Sequence, residues 1–272
     1  MKRLRFVQIP KTAGSTLAYL LLQQYRGMRY FYFTGETEAD TKRYRSLSEA
    51  ERGEIGFYLG HAPIATGIQE ADDATLITLL RDPVRRVKSF CQHVSEGKAP
   101  YLQKDFPPDS FDLDGFLNSG NYEISNLQTK MLINKVSCAS PVLINSMSPA
   151  EATDKALENL FTVISRFGIQ EYFDESLIHF CRFLHWKMPF YLSANLKDSK
   201  RLIEFKPRHL DRIAELNSID LEVYAAARKK FREIIASADF DSAKLKRFKF
   251  LNPLAIPFLQ LRHRIEKALR SS

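Results

Sequence analysis

Leu4-Arg5-Phe6-Val7-Gln8-Ile9-Pro10-Lys11-Thr12-Ala13-Gly14-Ser15-Thr16-Leu17 decides the fold. Leu4 to Ile9 is a near-continuous apolar run, the pattern of a strand buried on both faces of a parallel sheet. A short glycine-containing loop follows. The pattern then becomes helical from about Ser15 to Tyr25, with Leu17, Tyr19, Leu20, Leu21 and Leu22 supplying the apolar surface. Working outward, Tyr30–Phe33 and Gly56–Leu59 read as short strands, and Ala74–Leu80 is the clearest strand of the chain, β-branched and uncharged. It ends at Arg81-Asp82-Pro83, where Asp82 suits an N-cap and Pro83 a first helical residue of a helix running to about Ser95. Helices follow near Asp112–Asn118, Tyr122–Ile133 and Pro149–Leu160, then one more strand, Phe161–Phe167. Helices over Gln170–His185, Pro207–Leu216 and Leu221–Ala236 complete the pattern. Strands alternating with helices early and helices dominating late give an α/β class: a P-loop-like three-layer fold with a central parallel sheet and a helical C-terminal half. No Pro/Gly/Ser-rich linker divides residues 1–236, which read as one domain.

The chain has 272 residues, 44% of them hydrophobic and 26% charged, which excludes a disordered or collagen-like chain. No segment reaches the ~20 apolar residues that span a bilayer, and the first residues lack the form of a secretory signal. Cys91, Cys138 and Cys181 are odd in number and form no CxxC pair, which argues against a disulfide scaffold or a zinc site. A cytoplasmic protein with reduced thiols is expected. The charge is uneven. Lys244 to Ser272 carries eight basic residues against Glu266 alone, a net +7 of the chain's +8. This basic tail, 237–272, is interleaved with Phe248, Phe250, Leu251, Leu254, Ile256, Phe258 and Leu259. Two placements fit it, a flank of the domain or an anionic membrane surface. No nucleic-acid-binding motif accompanies the charge.

The loop Pro10–Thr16 joins a strand to a helix N-terminus, where unpaired N–H groups and the positive dipole end attract phosphate or sulfate. Lys11 adds a mobile charge, and Ser15 and Thr16 add hydroxyls. A nucleotide kinase needs GxxxxGK[ST]. Here Lys11 precedes Gly14, and the first glycine is missing. A second strand-to-helix junction, Arg81 to Ser89, sets a guanidinium at a strand end and a hydroxyl about two turns on, able to converge on one anion.

Together the two motifs resemble the sulfotransferase family. Pro10 to Thr16 matches its 5′-phosphosulfate loop, PKTxG[ST][ST], and Arg81 followed by Ser89 matches the spacing of its 3′-phosphate element. The form Arg-Asp-Pro-x-x-Arg-x-x-Ser looks most like the carbohydrate branch that includes heparan sulfate 2-O-sulfotransferase. The resemblance extends to Gly60-His61, Asn126-Leu127-Gln128-Thr129-Lys130 and Phe167-Gly168-Ile169-Gln170-Glu171. It implies a donor, 3′-phosphoadenosine 5′-phosphosulfate (PAPS), and an acceptor hydroxyl on a carbohydrate, with no metal. Thr12, Ala13, Gly14, Ser15 and Thr16 would hold the 5′-phosphate, Lys11 the leaving oxygen, and Arg81 and Ser89 the 3′-phosphate. Lys197 and Ser199 sit where relatives close a segment over the 3′-phosphate and adenine. Asn126 and Gln128 either orient the donor or acceptor or form a polar helix surface.

In the 2-O-sulfotransferases a Gly-His at this point carries the basic histidine, which implies that His61 is the general base; a histidine capping a strand end is the alternative. Glu36 and Glu38 are further candidates, since some branches use a glutamate. His93 lies on the helix after Ser89, His179 and His185 in the Gln170 helix, and His209 and His263 in basic segments, and these compete less well. The relatives in this branch are membrane-anchored in the lumen, whereas this chain begins directly at its first strand. A soluble, bacterial enzyme is therefore expected, acting on a polysaccharide precursor, oligosaccharide or glycolipid. The alternatives are a catalytically silent PAPS- or glycan-binding protein and a nucleotide-dependent kinase. The acceptor pocket would draw on Gly97–Pro108 and Tyr30–Arg52, which carry no readable code.

Overall fold

Leu4–Val7 (β1) occupies the middle of the sheet, as a strand with no solvent-facing residue must. The computed structural model describes residues 3–134, 142–192 and 202–270. In chain order after β1 come α1 (Gly14–Gln24), β2 (Arg29–Phe33), α2 (Thr37–Arg45), α3 (Glu49–Gly53), β3 (Ile55–Gly60), α4 (Gln69–Asp72), β4 (Thr75–Leu80) and α5 (Pro83–Ser95). Then follow α6 (Leu113–Leu117), α7 (Leu127–Ile133), α8 (Val142–Asn145), α9 (Pro149–Glu158), β5 (Arg166–Ile169), α10 (Phe173–Leu184), α11 (Pro207–Leu216), α12 (Ser218–Ala236) and α13 (Ser242–Arg270).

The five strands are all parallel, in the order β2-β3-β1-β4-β5. Side chains alternate between two helical layers. Leu4 and Phe6, with Phe57, Leu59, Ile77 and Leu79, pack under Leu17, Leu20 and Leu21 of α1 and Leu177, Ile178 and Phe180 of α10. Val7, Leu76, Leu80, Phe167 and Ile169 face α7, α9 and α12. This is a three-layer α/β fold with a helical C-terminal half. Arg5, on the same side of β1 as Val7, is buried but paired: it donates to Asp72 at 2.9 Å and to the Pro63 and Ile64 carbonyls.

The chain leaves β1 toward β2 on one side and leaves β4 toward β5 on the other. The crevice between the carboxyl ends of β1 and β4 is thus the point where strand order reverses, where open α/β sheets bind ligands. The loop carrying Lys11 and the turn carrying Arg81 flank it.

Three elements differ from expectation. Phe161–Phe167 is not one strand: Asn159–Val163 continues helically as a π-turn, and β5 begins only at Arg166. Ala152, Ala156 and Leu160, all fully buried, recur every four residues, so the helical face wins over the β-branched run, and Phe161 and Val163 are left exposed. The stretch Tyr30–Arg52 holds two helices where only a strand and loops are expected, and Ser48 and Glu51 form a reciprocal capping box at the start of α3. The basic tail is mostly one helix, α13, running through Pro253 and Pro257. Its first part packs on the domain, with Phe248 buried against the rings of Phe190 and Tyr191.

Candidate functional site

The loop after β1 is tightly curled. Lys11 and Ala13 both have φ of 68°, left-handed backbone that costs a non-glycine residue about 1 kcal/mol or more. Two clamps hold it: the Thr12 hydroxyl donates to the Ile9 carbonyl at 2.9 Å, and the Arg81 guanidinium donates to the Lys11 carbonyl at 2.9 Å. The curl delivers the chain into α1 at Gly14. A Cβ there would stand 2.6 Å from Gln8 Cγ, so only glycine lets the helix start this close to the strand. No side chain caps α1 and no acidic residue lies in its first turn. Its leading N–H groups therefore present uncompensated positive potential beside Lys11. Ser15 is exposed, while Thr12 and Thr16 are buried.

Arg81 stands at the end of β4, its backbone clasped on both sides by one amide. Gln128 accepts from the Arg81 N–H at 2.9 Å and donates to the Arg81 carbonyl at 2.8 Å. The next N–H, of Asp82, donates to Glu171, whose other oxygen accepts from the Tyr224 hydroxyl. Burial lowers the Arg81 pKa and Glu171 opposes that; an arginine remains charged at neutral pH. Its Nε is buried and has no hydrogen-bond partner among the described residues. Asp82 caps α5 through the Arg85 N–H, with Pro83 at the first helical position as expected. Ser89 is half-buried on α5, and its hydroxyl makes no hydrogen bond described among these residues.

His61 reaches the same cleft from β3. Its Nδ1 lies 2.8 Å from the Gln8 carbonyl, an oxygen that can only accept, so Nδ1 carries the proton and Nε2 keeps its lone pair. Burial depresses the His61 pKa; the Gln8 bond opposes this and the Lys11 charge adds to it, leaving a neutral imidazole at pH 7. Lys11, His61 and Arg81 are therefore gathered around one loop.

His93, on α5 one turn beyond Ser89, was the residue sequence reasoning undervalued. It lies near enough to Lys11 for that charge, after burial, to help lower its pKa to about 4. The signal was its i+4 spacing from Ser89, which puts both on one helix face. Glu36 and Glu38 are exposed at the start of α2. The loop before them borders His61, since a Cβ on Gly35 would lie 3.5 Å from the His61 Cβ. Glu36 donates its backbone N–H to the Thr34 hydroxyl, and neither carboxylate takes part in a described hydrogen bond or ion pair. Lys197 and Ser199 lie outside the described residues.

Asn126 and Gln128 are no helix surface. Gln128 is 1% exposed and acts on Arg81 as above. Asn126, left-handed at the N-cap of α7, accepts from the Asp220 N–H and donates its own N–H to Asn217. Asp220 in turn accepts from the Gln128 and Thr129 N–H groups and from the Thr129 hydroxyl. α12 thus fixes α7, and α7 fixes Arg81. Among the described residues no cluster of His, Cys, Asp or Glu could hold a metal ion. No known family profile matches the chain, and no curated protein matches its sequence.

Proposed function

We propose that this protein is a PAPS-dependent O-sulfotransferase acting on a carbohydrate hydroxyl. One observation carries the reading: the Lys11 loop, Arg81 and His61, from three different strand ends, lie together along the carboxyl edge of the sheet, joined by the Arg81–Lys11 and His61–Gln8 hydrogen bonds. The residues suit a donor that is anionic at two places. The uncapped α1 N-terminus with Lys11, Ser15 and Thr16 suits one phosphate, and Arg81, with its buried unpartnered Nε, suits the other together with Ser89.

The donor supplies a sulfuryl group whose transfer leaves negative charge on a phosphate oxygen. Neutralising that charge is the task of the Lys11 ammonium and the N–H groups of Gly14 and Ser15, since the Thr16 N–H already donates to the Ala13 carbonyl. Proton removal from the attacking hydroxyl falls to His61 Nε2, kept unprotonated by burial and oriented by the Nδ1 bond to Gln8. Arg81, held through Gln128 rather than by its own packing, recognises the second phosphate and so separates this donor from ATP. The same proposal makes the protein cytoplasmic, consistent with free, buried Cys91 and Cys181. Among the described residues no helix is long and apolar enough to cross a membrane.

Calorimetric binding of 3′-phosphoadenosine 5′-phosphate beside ATP and ADP, on wild type and Arg81→Ala, tests this reading. The expected result is micromolar binding of the desulfated product that needs Arg81, with ATP and ADP at least about tenfold weaker, or roughly 1.4 kcal/mol. Equal or absent binding across the three nucleotides would overturn it.

A further inference from the structure

α13 lies antiparallel to α10. Asp239, just before it, meets Arg182 near the end of α10 at 3.7 Å, and Lys249 meets Glu175 in the first turn of α10 at 2.8 Å. α10 begins just past the carboxyl end of β5, so by Lys249 the helix has reached the edge of the sheet where the Lys11 loop and Arg81 stand. Asn252, accepting from the Tyr191 N–H, makes the last described hydrogen bond to the domain. The outward face of the helix is apolar. Phe250, Leu254 and Phe258, spaced every four residues, are 71%, 59% and 76% exposed, with Pro253 and Pro257 exposed between them. A helix facing only water carries polar residues there. On the N-terminal side of this stripe Lys246, Arg247 and Lys249 are exposed, and from Lys244 to the chain end the sole acid is Glu266.

The charge selects the occupant of this face. A second copy of the same helix would bring a +7 segment against another +7 segment. Apolar residues collared by lysine and arginine instead match an interface that is hydrocarbon below and anionic above. We propose that α13 is a membrane-surface helix, seating Phe250, Leu254 and Phe258 in an anionic bilayer and turning the carboxyl edge of the sheet toward it. Where the sulfotransferase reading also holds, on which this clause rests, the acceptor is a saccharide carried on a lipid.

The test is co-sedimentation of the full chain with vesicles of phosphatidylcholine alone and of phosphatidylcholine with phosphatidylserine. Binding is expected only with phosphatidylserine. It should weaken at least about tenfold when salt rises from about 0.1 M to about 1 M and the screening length shrinks from about 10 Å to about 3 Å. Phe250→Glu with Phe258→Glu, and separately Lys246→Glu with Arg247→Glu, should each abolish it while circular dichroism and nucleotide binding stay as in wild type. Failure to bind either vesicle overturns the proposal, as does unchanged binding by both double variants. A dimer that the phenylalanine variants convert to monomer, without vesicle binding, would make the stripe a self-association face. Vesicle binding is read without turnover, so it stands or falls independently of the sulfotransferase reading. Vesicle binding without nucleotide binding would remove only the clause on the acceptor.

Discussion

Gly60 leaves β3 with φ of +121°, and a Cβ there would come within 2.1 Å of the Phe33 carbonyl oxygen, so no other residue makes this turn without displacing β2. The turn brings His61 across to β1, where the Gln8 carbonyl fixes its tautomer. If Nε2 is the base, His61→Ala loses about 10²- to 10⁴-fold in kcat and leaves product-nucleotide affinity nearly unchanged. A variant that keeps its activity, while a Glu36 or Glu38 change removes it, would reassign the base. The pH profile follows with a definite sign. Burial depresses the imidazole pKa, so the rate rises with pH through a midpoint below the ordinary 6.5 and is lost as pH falls through it. Lys11→Ala should cost about 10²- to 10³-fold in kcat, because the leaving charge goes unneutralised. It also carries a readout independent of turnover: Lys11 lowers the pKa of both His61 and His93, so in this variant both imidazoles should titrate higher by NMR. Lys11, His61 and Arg81 stood out in the sequence because each lies in a short motif at or just beyond the end of an apolar run. The closeness of His93 to Lys11 did not, since it depends on how the Lys11 loop curls, which two left-handed non-glycine residues decide.

α7 is a seven-residue helix buried along its whole length, and it is capped from another element. Asp220 of α12 accepts from the Gln128 and Thr129 N–H groups at 3.1 and 2.7 Å, meeting orphan donors that Asn126 leaves unmet. The same carboxylate is the principal opposing charge for Arg86, a fully buried guanidinium whose nitrogens have no hydrogen-bond partner; burial lowers the Arg86 pKa, and Asp220 counters it ahead of Glu123. Asp220→Ala therefore strips a helix cap and leaves the buried Arg86 cation without its principal opposing charge, with Glu123 the next. The expected loss is about 3–5 kcal/mol, read as a lower urea midpoint at unchanged slope, whereas a loss under about 1 kcal/mol would mean that α7 is held by packing alone. Sequence alone places a helix over Tyr122–Ile133 but not its break: Tyr122–Ile124 is a separate 3-10 turn and left-handed Asn126 starts α7 only at Leu127. Asn-Leu-Gln-Thr-Lys is polar enough for a surface turn, and its partners lie some 90 residues later in the chain. The central strands were readable because burial on both faces writes itself as uninterrupted apolar runs. Phe161–Val163 misled for the matching reason: β-branched and aromatic residues there belong to a π-turn whose inward positions repeat at helical spacing. α13 was hidden by Pro253 and Pro257, which normally end a helix.

Across the whole molecule, the buried histidines couple folding to pH in one direction. His93 and His179 sit on opposite margins of the fold, His93 on α5 beside Lys11 and His179 on α10 beside Arg166 and Arg182. Burial first, and then those cations, lower each imidazole from 6.5 to about 4. The unfolded chain binds a proton at each histidine near 6.5, while the folded chain binds them only near 4. Between these values the unfolded state holds more protons, so stability is complete above 6.5 and declines as pH falls toward 4. The carboxylates divide: Glu51, held by the Ser48 N–H and Arg29, titrates at about 2 and acts in the same sense at lower pH, whereas burial raises the Glu123 pKa and makes its contribution opposite in sign. Urea unfolding at a series of pH values should thus show its first loss of stability in the histidine range, with up to three protons taken up per molecule unfolded, since burial depresses His61 as well. His179→Gln should remove one of them while leaving the Lys11 loop untouched, because the glutamine has no charge to acquire. A profile flat to about pH 4.5, or one that His179→Gln does not alter, would mean that both imidazoles protonate freely in the folded protein and that the burial around them opens at no cost.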